Sequence, residues 1–196
     1  MPMSCTRRGL LGLVIAASLS ACASPAPKVY ILVTVPGTAV GGRPVTASVA
    51  AVDIAEYLDR PQIVTRSGTV ELGVAEFERW GEPLGNMVQR VLAEDLTRRF
   101  PAGSVVTTSR TLSGDEAVTV ELAVARFDPD ADGAIILAAQ WRLQRKAGGR
   151  AKTETARITR RPADETTAAE VQAMSDTLGE LADRIAGGLS SAPKRR

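Results

Sequence analysis

Residues 118–143 read Val118-Thr-Val-Glu-Leu-Ala-Val-Ala-Arg-Phe-Asp-Pro-Asp-Ala-Asp-Gly-Ala-Ile-Ile-Leu-Ala-Ala-Gln-Trp-Arg-Leu143. Val118, Val120, Leu122 and Val124 alternate with polar or small residues. Beyond an acidic loop, Ile135, Leu137, Ala139, Trp141 and Leu143 repeat the pattern. A period of two marks strands with one buried face. Asp132-Gly133 suits the turn between them, because both residues tolerate tight-turn backbone angles. Residues 152–161 follow Gly148-Gly149 and extend the pair into an antiparallel meander.

Working outward, residues 82–100 carry a helical stripe. Leu84, Val88, Val91, Leu92 and Leu96 share one face, with Arg90, Glu94, Arg98 and Arg99 mostly elsewhere. Pro83 suits the first turn, and Phe100-Pro101 ends the helix. A second helix spans residues 164–189, where Val171, Met174, Leu178, Leu181 and Ile185 step by three and four. A coiled-coil seam needs more heptads, so this stripe is expected to pack on the sheet. Upstream, residues 28–36 are rich in β-branched and aromatic residues and read as a buried strand. Residues 45–54 read as another. Residues 61–66 and 69–73 read as two short strands joined at Ser67-Gly68, and residues 105–109 as one more. The expected fold is α/β: a mixed, largely antiparallel sheet with two main helices packed on it, in a single domain over residues 28–189. Residues 190–196 are expected to form a disordered tail.

The start of the chain has a different logic. Arg7 and Arg8 precede the uncharged run Gly9-Leu-Leu-Gly-Leu-Val-Ile-Ala-Ala-Ser18, and Leu19-Ser-Ala-Cys22 closes it. Positive head, short apolar core and small-residue exit describe a secretory signal. The core falls short of the ~20 residues a spanning helix needs. Leu19-Ser20-Ala21-Cys22 resembles a bacterial lipobox, which makes residues 1–21 a signal peptide and Cys22 the lipidated first residue. Residues 22–27 then form a short tether. Thr6-Arg7-Arg8-Gly9-Leu10-Leu11 also resembles a twin-arginine export motif, so two export routes fit the head. Ala23 follows the cysteine, which favours the outer membrane.

Composition removes several function classes. Without residues 1–21 the chain has 22 basic and 22 acidic residues, the leader having held only Arg7 and Arg8. A neutral chain gives nucleic-acid binding no electrostatic support. The sequence contains no histidine, and acylation of Cys22 would leave no free thiol once Cys5 goes with the leader. Ser-His-Asp and Cys-His nucleophilic sites are therefore excluded, as are the usual zinc sites. Asp128-Pro-Asp-Ala-Asp-Gly133 begins like a calcium loop, but its twelfth position is Ala139 instead of a bidentate Glu. It reads as a turn, with a weak cation site as the alternative. No catalytic residues, cofactor or metal are expected, and the protein is not expected to be an enzyme.

Other segments go beyond what a fold requires. These are Lys28-Val-Tyr-Ile-Leu32, Val49-Ala-Ala-Val-Asp-Ile-Ala-Glu-Tyr-Leu-Asp-Arg-Pro-Gln-Ile-Val-Thr-Arg66, Phe77-Glu-Arg-Trp-Gly-Glu-Pro-Leu84 and Arg90-Val-Leu-Ala-Glu-Asp-Leu96. Together they resemble the PqiC family of auxiliary lipoproteins of ABC-type transport, associated with MCE lipid-transport systems. Tyr57-Leu-Asp-Arg-Pro-Gln-Ile-Val64 is the most specific piece. The resemblance implies a non-catalytic lipoprotein at the periplasmic face of the outer membrane. It would dock an MCE-domain periplasmic or inner-membrane partner, with a homo-oligomeric ring as a further implication and no role for nucleic acid. A lipoprotein that itself carries lipid is the alternative. Tyr57, Arg60, Pro61 and Gln62 are the candidate partner contacts, since Arg and Tyr are enriched where proteins meet. The competing expectation pairs Arg60 with Asp59 or Asp53. Trp80 is expected to anchor the start of the first helix.

Overall fold

The computed structural model describes residues 26–66, 68–108, 118–146, 151 and 153–190. The leader, Cys22, most of the tether, Ser67, the Gly148-Gly149 turn and residues 191–196 lie outside the described residues. In chain order the strands are β1 (Lys28–Tyr30), β2 (Thr46–Val49), β3 (Asp53–Ile54), β4 (Gln62–Arg66), β5 (Leu72–Trp80), β6 (Val105–Thr107), β7 (Val118–Pro129), β8 (Ile135–Arg145) and β9 (Thr153–Arg160). The helices are α1 (Leu84–Arg99) and α2 (Thr167–Ser190).

The quoted stretch forms the hairpin that organises everything else. β7 pairs antiparallel with β8, and β8 with β9. At the turn the Asp130 carboxylate accepts the N–H groups of Asp132 and Ala134 at 3.0 and 2.9 Å. Gly133 sits at φ +76°, where a side chain would be strained. The acidic loop is thus a turn, as expected. Among the described residues no group of three acidic, cysteine or histidine side chains is placed to hold a metal.

β7 is longer than its alternation allows. Had the period continued past Val124, Arg126 and Asp128 would have pointed into the core. Instead the pairing slips: Val124 lies opposite Ala139, but Arg126 lies opposite Ala138. Ala125 is the extra residue of a β-bulge. The bulge returns Phe127 to the core, 1% exposed, and turns Arg126 and Asp128 to the other face.

The rest of this sheet is parallel. Its order is β6-β2-β7-β8-β9, with β3 also on β7. β2 runs parallel to both β6 and β7. Parallel neighbours need a crossover, which α1 supplies between β2 and β6. A second sheet, ordered β1-β5-β4, stands beside the first.

Both helices bury their stripes on one face of the large sheet. Leu84, Val88, Val91, Leu92 and Leu96 are all at most 1% exposed. α1 begins at Leu84, with Pro83 one place ahead as its cap residue. α2 begins at Thr167, later than expected, because Thr166 caps it: the Thr166 hydroxyl accepts the Ala169 N–H at 3.2 Å. Ser190 closes α2 instead of opening the tail. The opposite face of the large sheet, with Ala123, Gln140 and Arg142, is exposed. No helix among the described residues is long and apolar enough to cross a membrane.

The strand expected over residues 45–54 is broken after Val49 into β2 and β3, and three further expectations need correction. The 69–73 strand is instead β5, nine residues that run on to Trp80 and pair with β1. The 28–36 strand stops at Tyr30. Residues 31–40 leave the sheet and lie along both helices, and their N–H groups find side chains and a helix end instead of a neighbouring strand. Val33 donates to Ser175 Oγ at 3.1 Å, Val35 to Asp95 Oδ1 at 3.0 Å and Thr38 to Asp183 Oδ1 at 2.9 Å. Val40 donates to the Arg99 carbonyl at 2.8 Å. Arg99, expected off the buried face, is the third correction: it is 1% exposed. Its guanidinium donates to Asp183 Oδ1 at 2.7 Å, to the Asp95 carbonyl at 2.9 Å and to the Gly179 carbonyl at 2.8 Å. An arginine this deep is tolerated because its donors are met.

Close approach of this strap requires glycine. A Cβ on Gly179 would lie 2.0 Å from Val35 Cγ2, whereas one on Gly187 would meet nothing within 4 Å. Helix propensity alone favours Ala over Gly by about 1 kcal/mol at either position. Gly179→Ala is expected to lose about 1–3 kcal/mol through overpacking, and Gly187→Ala to gain up to about 1 kcal/mol. Urea denaturation of the two variants checks the opposite signs.

Asp95 supplies a pH test. Burial raises its pKa above the ordinary 3.8, only partly offset by the Val35 N–H and Arg99, and its Oδ2 has no hydrogen-bond partner. The folded chain therefore holds this proton to higher pH than the unfolded chain does. The residue's contribution is full below the unfolded value and falls as pH rises through the folded one. Relative to wild type, Asp95→Asn should become progressively more stable as pH rises above the ordinary carboxylate value of 3.8. Denaturation of both proteins at rising pH measures the trend, and a flat difference would refute it.

Candidate functional site

The segment from Tyr57 to Arg66 passes from one sheet to the other and is pinned at both ends. Ala55 N–H donates to the Val124 carbonyl at 2.9 Å, and a single 3-10 turn, Glu56–Leu58, follows. Leu58 points inward at 2% exposed. Pro61 opens β4, where its missing donor costs nothing, and its carbonyl accepts the Trp80 N–H at 2.8 Å.

Asp128, aimed to this side by the Ala125 bulge, is the anchor. Its carboxylate is fully buried. It accepts the Tyr57 hydroxyl at 2.8 Å, Arg66 at 2.7 and 3.0 Å, and Arg126 at 3.1 Å. Both arginines also donate to the Pro129 carbonyl. Burial first, and then the bond to Asp128, pushes the Tyr57 phenol well above its usual range. Tyr57 is thereby a fixed donor that locks the segment's entry, while Arg66 locks its exit. Sequence reasoning missed Arg66 and Arg126, and met Asp128 only as the first residue of an acidic loop. The available signal was the break in alternation at Ala125.

Between these pins the chain turns outward. Arg60 and Pro61 are exposed, and Gln62 is partly exposed opposite Arg79. Arg60 makes no ion pair with Asp59 or Asp53, and among the described residues no carboxylate lies within 4 Å of it. It borders a cleft of 240 Å³ whose other walls are Asp59, Pro61, Trp80, Glu82 and Pro83. Trp80 is 7% exposed, so it anchors the body as expected and offers only an edge to the cleft. Glu82 is already bound by Arg90 at 3.2 Å from Nε. The structure thus brings Arg60 and Pro61 together over an apolar shelf. It places Tyr57 behind them as support and Gln62 beside them. Cys22 lies outside the described residues. The cleft is small, with an arginine free of carboxylate partners and proline walls. It holds no nucleophile–base pair.

Comparison with known proteins bears on fold and family. A crystal structure of an uncharacterized protein superposes with a TM-score of 0.72 at 20% identity, covering 85% of this chain and all of that one. Protein XCC0632 from Xanthomonas campestris, of family DUF330, gives a TM-score of 0.65 at 21% identity, covering 82% of this chain and 93% of that one. At these identities the likeness concerns the fold. Among curated proteins none matches the chain. The family model for the ABC-type transport auxiliary lipoprotein component matches residues 30–186, a span holding α1, most of α2, the large sheet and the Tyr57–Arg66 segment. In keeping with the PqiC resemblance of its motifs, the chain belongs to the ABC-type transport auxiliary lipoprotein family.

Proposed function

We propose that this auxiliary lipoprotein is held at the outer membrane by acylated Cys22 and docks a periplasmic MCE-domain partner of an ABC-powered lipid-transport system. The observation that carries the docking role is Arg60: exposed, without a carboxylate partner, and set on an apolar shelf whose backbone is held by the buried Asp128. An arginine beside desolvated apolar surface is a common anchor of protein interfaces, and a rigid segment loses little entropy on binding. Pro61 and Gln62 extend that contact, and Tyr57 supports it from behind. The role is one of attachment, with the chemistry of transport left to the partners. The short tether matters as well. Residues 23–27 span at most about 17 Å, so the partner supplies the reach across the periplasm.

The test is capture from native membranes. Wild-type protein should recover an MCE-domain protein after crosslinking, and recovery of only itself or of cell-wall material would overturn the reading. Arg60→Glu should weaken capture about tenfold or more with unchanged thermal stability, the loss expected of one interface anchor. Asp128→Asn should instead lower stability by about 3–5 kcal/mol, because two arginines lose their buried counter-charge. Equal capture by Arg60→Glu and wild type would remove the cleft from the interface.

A further inference from the structure

The described residues expose few large apolar side chains, and these are not scattered. Val29, Ile31, Val33, Val70, Leu72, Val74 and Phe77 are all at least 40% exposed, and only Val105 joins them from elsewhere. All seven lie on β1 and the residue run leaving it, or on β5 and the turn before it.

The pairing places Val29, Leu72, Val74 and Phe77 on one side, whereas Val33 lies past the paired strands beside α2 and Val70 lies in the turn before β5. Tyr30 lies opposite Trp80, and both point toward the core. Val29, opposite Arg79, therefore points away from it. A Cβ on Gly81 would meet Ile31 Cγ2 at 2.9 Å and Val29 Cγ1 at 3.4 Å, so these two side chains sit together over that glycine. Along β5, Gly73 and Ala75 face inward while Leu72 and Val74 face out. The register with β4 jumps between Gln62 and Val64, which shifts the phase and leaves Phe77 outward too. On β1 and β5 the small sheet is thus buried on one side and apolar on the exposed other side, while β4 is covered on both, Ile63 and Val64 being 2% and 6% exposed; an exposed apolar patch of this kind marks a contact surface.

We infer that this free face of the β1–β5 sheet rests on the bilayer that carries the lipid anchor. The inference deepens the proposed function and rests on acylation of Cys22. Five residues, 23–27, lie between Cys22 and Lys28, so β1 begins six residue steps, at most about 20 Å, from the acylated residue. Val29 and Ile31, 65% and 53% exposed, are the first outward side chains the tether reaches. Each contributes little alone. Tethering converts their contact with lipid into an intramolecular event, for which weak contacts suffice. The acyl chains supply retention, and the sheet face sets orientation.

The test uses lipidated protein reconstituted into phosphatidylethanolamine–phosphatidylglycerol vesicles. One added thiol, Val74→Cys, Phe77→Cys or the control Gln140→Cys on the open face of the large sheet, carries an environment-sensitive fluorophore. Intact mass reports acylation of Cys22 independently. Labels at 74 and 77 should be blue-shifted and quenched several-fold more strongly by lipid-borne nitroxide than the label at 140. Equal exposure at all three positions with Cys22 acylated overturns the seating and leaves the anchor standing. Shielding that lipid nitroxide does not quench and that grows with protein density gives the face to a second copy, and also overturns it. An unacylated Cys22 overturns the anchor reading, and with it the reach on which the seating depends.

Discussion

The buried guanidinium of Arg99 is the constraint from which the helical layer takes its form. It joins the end of α1 to Asp183 and the Gly179 carbonyl on α2, and it fills the space left by Gly37 and Gly179. A Cβ on Gly37 would lie 2.1 Å from its Cζ. The same carboxylates that hold Arg99 also accept N–H groups of the strap, Val35 on Asp95 and Thr38 on Asp183. Removing one member would leave several buried polar groups without partners, which is where such networks are costly. The first residues after the tether are therefore locked to both helices.

A second constraint separates body from contact surface. The Ala125 bulge divides β7 into a segment whose partners are the core and a segment whose outer face carries Asp128. Without the extra residue, Arg126 and Asp128 would need partners inside an aliphatic core. With it, Asp128 becomes the post to which Tyr57, Arg66 and Arg126 tie the crossing segment. One irregularity in the most regular strand thus fixes the position of Arg60, about 70 residues away in sequence, by the long reach that sheet pairing allows.

Sequence patterning was readable where burial followed a period. The hairpin, its Asp-Gly turn and both helical stripes came through because one face of each is apolar and the other is not. Residues 28–36 failed for the opposite reason. Val29, Ile31 and Val33 alternate with Tyr30 and Leu32, so both phases are apolar and neither names the inside. In the structure Leu32 is buried, while Val29 and Ile31 are exposed. Arg99 was misplaced because a charge on a helix is normally solvated. Its burial depends on Gly179 and Asp183, 80 and 84 residues later. The Ser175-Gly179-Asp183 spacing held the clue, a small and polar ridge on an otherwise apolar helix. The candidate site was legible in composition and only partly in role: Arg60 and Pro61 face outward, whereas the Tyr57 hydroxyl is committed to Asp128.

Stability and exposure are unevenly shared between the two sheets, and function follows that division. The large sheet and both helices bury a continuous core and leave a polar face to water. The small sheet buries both sides of β4 but only one side of β1 and β5. It carries the outward aliphatic strip on β1 and β5, and the Arg60 cleft lies at its edge, where Trp80 meets Pro61. A patch of exposed valine, isoleucine and phenylalanine is a liability for a freely diffusing protein. It is tolerable under the proposed arrangement, in which the first residues are held at a membrane and the neighbouring cleft meets a partner there. The strap then has a mechanical meaning. A pull on the tether enters the fold at β1 and passes directly into hydrogen bonds with Ser175, Asp95 and Asp183 on the two helices. On the inferred seating, orientation set at the small sheet would in this way be carried by the most deeply buried part of the molecule.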